Sequence, residues 1–565
     1  MARVTGIVLA SLLFASTAHA VPGPDSVAVL ANASVPGSVA LAMRYAAMRD
    51  VPDAQVCALP MPATDTITLD EYRTMILEPL RACLGASEAR IEAVVVMRGV
   101  PLRVTIPVDG GHNVSITAAL GAWRSTLTDG TLPLLGTACG RMVDCGGTPC
   151  YAARVPAPYA AAFDGAFRAG FTLDSAGIHH APILATMLHG RSDADAGLLL
   201  DAAMEAEASA TPAGEFVLMM GADSARGALD PTYPSVATDL MARGVTVSTV
   251  PFDGTAFTGH MIAGFAVGTA SMGASIEGNT YVRGALVDNL TSFGAVPQNF
   301  EASGESQVSI ARWVAAGAAG AHGTVDEPLN NCFPSRTFLV SYVDGATLAE
   351  SFLGAMPFAY WLNLVLGDPM LAPYAQRPTV AITGAREGAS LSAAPMLSIT
   401  ASAPVGRAIA HLSLLVDGEE VASADGPTLD HCLAITAGTH AQILAVATTA
   451  PGAAGTTSPW PAKGWLAIHV DETAADATCD PAPVDGGPID AGAIADASRA
   501  DTGASGPPSA GCACRVRAGP RGAPALALAL ALALTLALAS RSRSRSALPL
   551  TPPASPRARG SRTPR

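Results

Sequence analysis

Apolar residues recur along this chain in two rhythms, and the rhythm changes near residue 376. Before that point, short unbroken apolar runs alternate with stretches of helical spacing. The runs SVAVLAN, AVVVMRGVP, GEFVLMMGAD, VTVSTVPF and MIAGFAVGTA predict strands buried on both faces. Between them, VPGSVALAMRYAAMRDVP predicts a helix opened by Ser38 and stopped before Pro52. PSVATDLMARG predicts another, opened by Ser235 and closed at Gly244. Thr68-Leu69-Asp70-Glu71 has capping-box spacing for a helix reaching Cys83. This alternation predicts an α/β domain over residues 21–375, a mostly parallel sheet with helices on both faces. Chemistry in such sheets gathers beyond the carboxyl ends of the strands.

After residue 376 the period becomes two. In HLSLLVDG, Leu412, Leu414 and Val416 share one face, and Asp417-Gly418 is a strong hairpin turn. LSITASA and AGTHAQILAVA alternate in the same way, so residues 377–471 predict an Ig-like β-sandwich. Such a module serves adhesion or acts as a spacer, and fold alone does not choose between them. From 473 to 510 small residues, Pro, Gly and Asp dominate and no apolar period survives, which predicts a disordered linker.

Charge changes the picture by exclusion. The chain has a formal net charge of -14, and Lys463 is its only lysine. Phosphate binding needs clustered Lys and Arg, so nucleic acid is excluded as a partner. The ten cysteines suit an oxidising compartment. CGRMVDCGGTPC at 139–150 lacks zinc-site spacing and a following His, so a disulfide-stapled loop is expected, with no metal and no cofactor. Pairing among the cysteines stays open.

The two ends carry addresses. Residues 1–20 read as a signal peptide: Arg3, an apolar core from Ile7 to Phe14, and cleavage after Ala20. Near the other end, GCACRVRAGPRG (511–522) runs into an uncharged Ala-Leu stretch from Ala523 to Ala539 and then Arg541, Arg543 and Arg545. That stretch reaches the lower limit of a transmembrane helix, roughly 17 residues, and the arginines would hold its cytoplasmic end. Gly-Cys, apolar helix and Arg cluster together resemble the MYXO-CTERM sorting signal, over residues 511–546. The resemblance implies processing at Cys512 by a sorting protease, membrane anchoring through the helix, and display at the cell surface. Residues 547–565 extend beyond that pattern as a basic tail.

Candidate chemistry concentrates at strand ends. His322, Asp326 and Glu327 stand together in AAGAAGAHGTVDEP (315–328) and are expected on one loop as a polar binding site. The alternative is that the two acids cap a turn. Asp368 in VLGDPMLAPY suits a turn before Pro369, with a catalytic role as the lesser alternative. His189-Gly190 is a second His-Gly pair, His179-His180 is expected at the surface, and Cys332 is expected in a disulfide. Asp193 and Asp195 suit the start of a helix over 193–208.

MRGVPLRV (97–104), NLTSFGA (289–295) and TLAESF (347–352), with the two strand-end stretches above and VLANASVPGSVALAMRYAAMRDVP (29–52), resemble an uncharacterised family of exported bacterial proteins associated with C-terminal sorting systems. More distantly, the order of strand ends resembles the gingipain-like cysteine peptidases of the caspase fold. That likeness implies a His at one strand end and a Cys thiolate at the next. Here FAVGTASMG and NLTSFGA put Thr269 and Ser292 in those places. A Ser without an adjacent base is a poor nucleophile. The chain is therefore expected to be a surface-anchored, non-catalytic binding or structural protein of unknown ligand. The alternatives are an active cysteine or serine hydrolase using Ser292, His322 or Asp368, and a partner in sorting or assembly of surface proteins.

Overall fold

The computed structural model describes residues 22–106, 112–121, 143–144, 149–150, 171–172, 179–180, 183–209, 213–301, 305–328, 330, 333–356, 362–391, 394–433, 440–452 and 460–472. The calls at Ala20, Cys332 and Cys512, the linker, the apolar stretch and the basic tail lie outside them. Among the described residues no helix is long and apolar enough to cross a membrane.

The strands in chain order begin with β1 (Val27–Asn32), β2 (Val56–Leu59), β3 (Thr66–Thr68), β4 (Ala93–Met97), β5 (Arg103–Ile106) and β6 (His112–Ser115). Two short antiparallel pairs follow, β7 (Val143–Asp144) with β8 (Pro149–Cys150), and β9 (Phe171–Thr172) with β10 (His179–His180). Then come β11 (Leu184–Leu188), β12 (Glu215–Met219), β13 (Thr246–Val250), β14 (Met261–Val267), β15 (Thr280–Asn289), β16 (Gly320–Thr324) and β17 (Asn363–Gly367). Ten of them form one sheet in the order β13-β12-β14-β15-β16-β17-β11-β4-β1-β2.

The inner strands are apolar because both faces are covered, whereas edge strand β13, expected to be buried on both faces, is exposed or half-buried along its whole length. In β12, Val217 and Met219 join one core cluster and Phe216 and Leu218 the other. The first cluster takes side chains of α1 (Pro36–Arg49), α2 (Ile116–Gly121) and α5 (Ile310–Ala315). The second takes those of α4 (Tyr233–Ala242), α6 (Phe338–Val343) and α7 (Leu348–Ala355). Helix α3 (Asp193–Ala208) contributes to both. Each fully buried Leu or Phe adds roughly 1.5–3 kcal/mol of hydrophobic stabilisation.

Helix starts follow local chemistry. Ser192 accepts from the Asp195 amide while Asp195 accepts from the Ser192 amide, so the expected acids open α3 within a reciprocal cap. Thr68 and Glu71 do the same for the helical run over 69–84. Two expected caps are corrected. Helix α1 starts at Pro36, where a missing N–H costs nothing, and the Ser38 hydroxyl instead accepts from the Asn32 amide. Helix α4 starts at Tyr233, and the Ser235 hydroxyl donates to the Thr232 carbonyl. A disulfide joins Cys57 of edge strand β2 to Cys83 of the 69–84 run.

One junction sets the layout of the sheet. β16 and β17 run antiparallel from Gly320↔Gly367 to Thr324↔Asn363, while the pairs from β13 to β16 and from β11 to β2 are parallel. The carboxyl end of β17 therefore lies on the edge opposite to the carboxyl ends of β12 to β16.

Residues 379–472 form two further sheets around their own core. The first is β18 (Thr379–Thr383), β20 (Met396–Ser402) and β23 (Thr428–Cys432). The second is β19 (Ala389–Leu391), β25 (Lys463–Glu472), β24 (His440–Thr449), β21 (Ile409–Val416) and β22 (Glu419–Asp425), in that order. Leu397, Ile399, Leu412, Leu414 and Ile443 fill the space between them. Asp417 (φ 49°) and Gly418 (φ 82°) make the expected hairpin turn, both in the left-handed region.

This β module belongs to the same compact unit as the α/β body, which spans residues 1–485. Lys463 is buried and donates to Asp25 at 2.8 and 3.0 Å and to Ser26 Oγ at 3.1 Å. Burial disfavours its ammonium, yet Asp25 and Glu92 more than offset this and hold its pKa above the ordinary lysine value. Trp465 donates to Asp50 at 3.1 Å, under the Arg377 guanidinium 5.0 Å from its ring.

Candidate functional site

The expected polar loop divides into a closed part and an open part. His322 is not on a loop. It is the middle residue of β16 and fully buried, between Asp288 on β15 and Asn363 on β17. Its Nδ1 lies 2.5 Å from Asp288 Oδ1 and its Nε2 3.0 Å from Asn363 Oδ1. The second Asp288 oxygen accepts from Arg336, also fully buried. Phe333 meets the ring edge-on at 5.4 Å, and Phe352 lies 6.2 Å away.

Burial pushes the His322 imidazole down to about 4. A neutral ring has one proton for two oxygen neighbours, and the Asp288 carboxylate has the stronger claim on it. Arg336 and Asp288 then balance in charge, and both side chains are fully buried. The cluster sits at the antiparallel seam between β16 and β17, where leaving the buried Asp288 without its cation is costly.

Asp326 and Glu327 lie beyond β16 and reach solvent. Asp326 accepts from Asn113 at 2.6 Å and from the Glu327 amide at 2.9 Å. Ser292, past the end of β15, donates to Glu327 at 2.8 Å. The Thr324 hydroxyl donates to the Ser292 carbonyl at 2.7 Å, and Gln307 accepts the Ser292 amide at 3.1 Å. This patch is polar and open, but its acids accept hydrogen bonds from a serine, an amide and a backbone N–H, not from an imidazole. Thr269, at the end of β14, donates to the Ser271 carbonyl at 2.7 Å and is tied through its backbone to Asn289.

Asp368 is on the opposite edge. It is more than a turn former: fully buried, it accepts from Tyr45 at 2.8 Å and from Arg49 Nε at 2.7 Å. Arg49 also donates to Glu207 at 2.6 Å, and Glu207 accepts from Arg377 at 3.0 Å. Burial alone would raise the Glu207 pKa, but Arg49 and Arg377 bring it down to about 2. This network, invisible to motif reading, fastens α1 to β17, α3 and the segment leading into the β module. His189, past the carboxyl end of β11, packs edge-on to Phe300 at 4.4 Å, and burial together with Arg98 lowers it to about 3. Ser292, His322 and Asp368 thus do not converge.

Among the described residues no serine hydroxyl or thiol hydrogen-bonds a histidine, and no three His, Cys, Asp or Glu side chains could hold a metal ion. No family model matches the chain, and no curated protein matches it. Among solved structures, a match at 16% identity and a TM-score of 0.14 is to fibronectin(III)-like modules of Clostridium thermocellum CbhA. It covers 21% of this chain and about half, 54%, of that one.

Proposed function

We propose that this protein is exported, held at the cell surface through residues 511–546, and acts there by binding or as a structural element without peptidase chemistry. In this reading the α/β body has the caspase-type plan of gingipain-like peptidases, and residues 377–471 are an Ig-like module fixed to it. The observation that carries the reading is the state of the two strand ends. Where the resemblance calls for an imidazole and a thiolate stand Thr269 and Ser292, and both hydroxyls donate to oxygen, to the Ser271 carbonyl and to Glu327. An imidazole or comparable base is needed to activate a hydroxyl nucleophile, and neither hydroxyl is hydrogen-bonded to one. The membrane-proximal part of the reading rests on the sequence pattern around Cys512.

Incubation of the whole protein with a broad peptide library and with thiol- and serine-directed probes tests this, beside Ser292→Ala and His322→Ala. No cleavage and no labelling are expected. Cleavage by the parent that Ser292→Ala abolishes would replace this reading with a hydrolase. In cells, Cys512→Ala should block C-terminal processing and leave a longer, membrane-retained form; unchanged processing would remove the anchoring part.

A further inference from the structure

A cavity of about 530 Å³ opens between the C-terminal end of α1 and the β module. Met43, Ala47 and Ala54 from the body and Ala441 from β24 give it an apolar wall. Its ionisable lining is Asp50, Asp53, Asp417, His440 and His469, and no Lys or Arg lines it. The cation nearest in sequence, Arg49, is committed to Asp368 and Glu207. His440 and His469 themselves face further carboxylates, Asp471 and Glu387.

The carboxylates are held, not mobile. Asp50 accepts from Trp465 Nε1, and Asp417 accepts from the Gln442 amide at 2.8 Å. Both anchoring donors come from the β module and use one oxygen of each acid. Among the described residues no other donor is hydrogen-bonded to these two carboxylates. Burial raises the Asp50 pKa, and Trp465, His469 and Arg49 offset this only in part. No trio of side chains here could hold a metal ion, and the volume falls in the range of molecular ligand pockets, roughly 300–1,000 Å³.

We propose that this cavity binds a small organic cation, an alkylammonium or guanidinium group on a short apolar stem. The stem lies against Met43 and Ala47, and the charge meets the free oxygens of Asp50 and Asp417, with Asp53 adding to the field. The site needs both parts of the compact unit, which gives the β module a role besides spacing.

Titration calorimetry of the full chain at low salt with 1,4-diaminobutane tests the proposal, with 1,4-butanediol as the neutral control of equal length. The diamine is expected to bind and the diol not. Asp50→Asn and Asp417→Asn should each weaken binding by about tenfold. Asn tolerates the left-handed backbone of both positions, φ 56° and 49°, and can still accept the anchoring hydrogen bond. Ala47→Trp, which fills the cavity from the exposed side of α1, should abolish binding while leaving the acids intact. A parallel titration with Gly-Arg-Gly separates a free amine from a basic side chain of a peptide, and the tighter binder identifies the source. Equal binding of the diol, unchanged affinity in the Asp50→Asn/Asp417→Asn double variant, displacement of the diamine by stoichiometric calcium, or no binding of either cation would overturn the proposal.

Discussion

Ser292 follows Asp288 by four positions on one strand, and Glu327 follows His322 by five on the next, yet the two pairs live under different physics. Asp288 and His322 sit inside the sheet, fully buried and flanked by Arg336 and Asn363. Ser292 and Glu327 sit past the strand ends, where a 2.8 Å hydrogen bond competes with solvent. The inner pair has the acid–imidazole contact expected of catalysis and no access. The outer pair has access and no imidazole. Depth along one pair of strands separates architecture from a surface available for recognition.

Acid should have the largest effect, because it reaches His322 in the inner cluster and also the separate buried imidazole of His189. His322 and His189 have folded values of about 4 and about 3, below the ordinary 6.5. Between pH 6.5 and those values the unfolded chain binds the extra protons, so stability is intact above pH 6.5 and falls as pH falls through the window. His322 alone should account for about 3 kcal/mol by pH 4. Denaturant midpoints at pH 7 and pH 4 measure this, and His322→Gln should remove the His322 share of the difference while leaving that of His189. A seam substitution comes next. Arg336→Met leaves Asp288 buried without its cation and should cost about 3–5 kcal/mol at pH 7, read by urea unfolding. The outer pair should respond least. Ser292→Ala and Glu327→Gln are each expected within about 0.5 kcal/mol of the parent. A loss of several kcal/mol from Ser292→Ala would erase the distinction between the two pairs.

How much of this was legible varies with the range of the signal. Local chemistry was readable: Thr68 with Glu71, the acids at the start of α3, and Asp417-Gly418 all act within a few residues. The apolar runs disclosed the inner strands covered on both faces, but VTVSTVPF became the exposed edge strand β13. The parallel majority was disclosed by the strand-helix alternation, but the one reversal was not. The antiparallel β16–β17 junction depends on how 338–355 packs back, and apolar pattern does not encode it. That reversal placed Asp368 and Ser292 on opposite edges. His322 misled because Gly320-Ala321-His322-Gly323-Thr324 looks like a loop, while its partners Asp288 and Arg336 are distant in sequence and carry no motif. Lys463 drew notice only as a solitary lysine, although its burial against Asp25 joins the β module to the body.

Histidine accessibility tests the central claim most directly. The claim is that the imidazole expected to drive chemistry is sealed in the seam. Native full-length protein is treated with diethyl pyrocarbonate at pH 7, and modification is followed at each histidine by peptide mass spectrometry. His440, His469 and His411, which reach solvent, should be modified within minutes. His322 should remain unmodified until the protein unfolds. Modification of His322 at a rate comparable to His440 in folded protein would contradict the account.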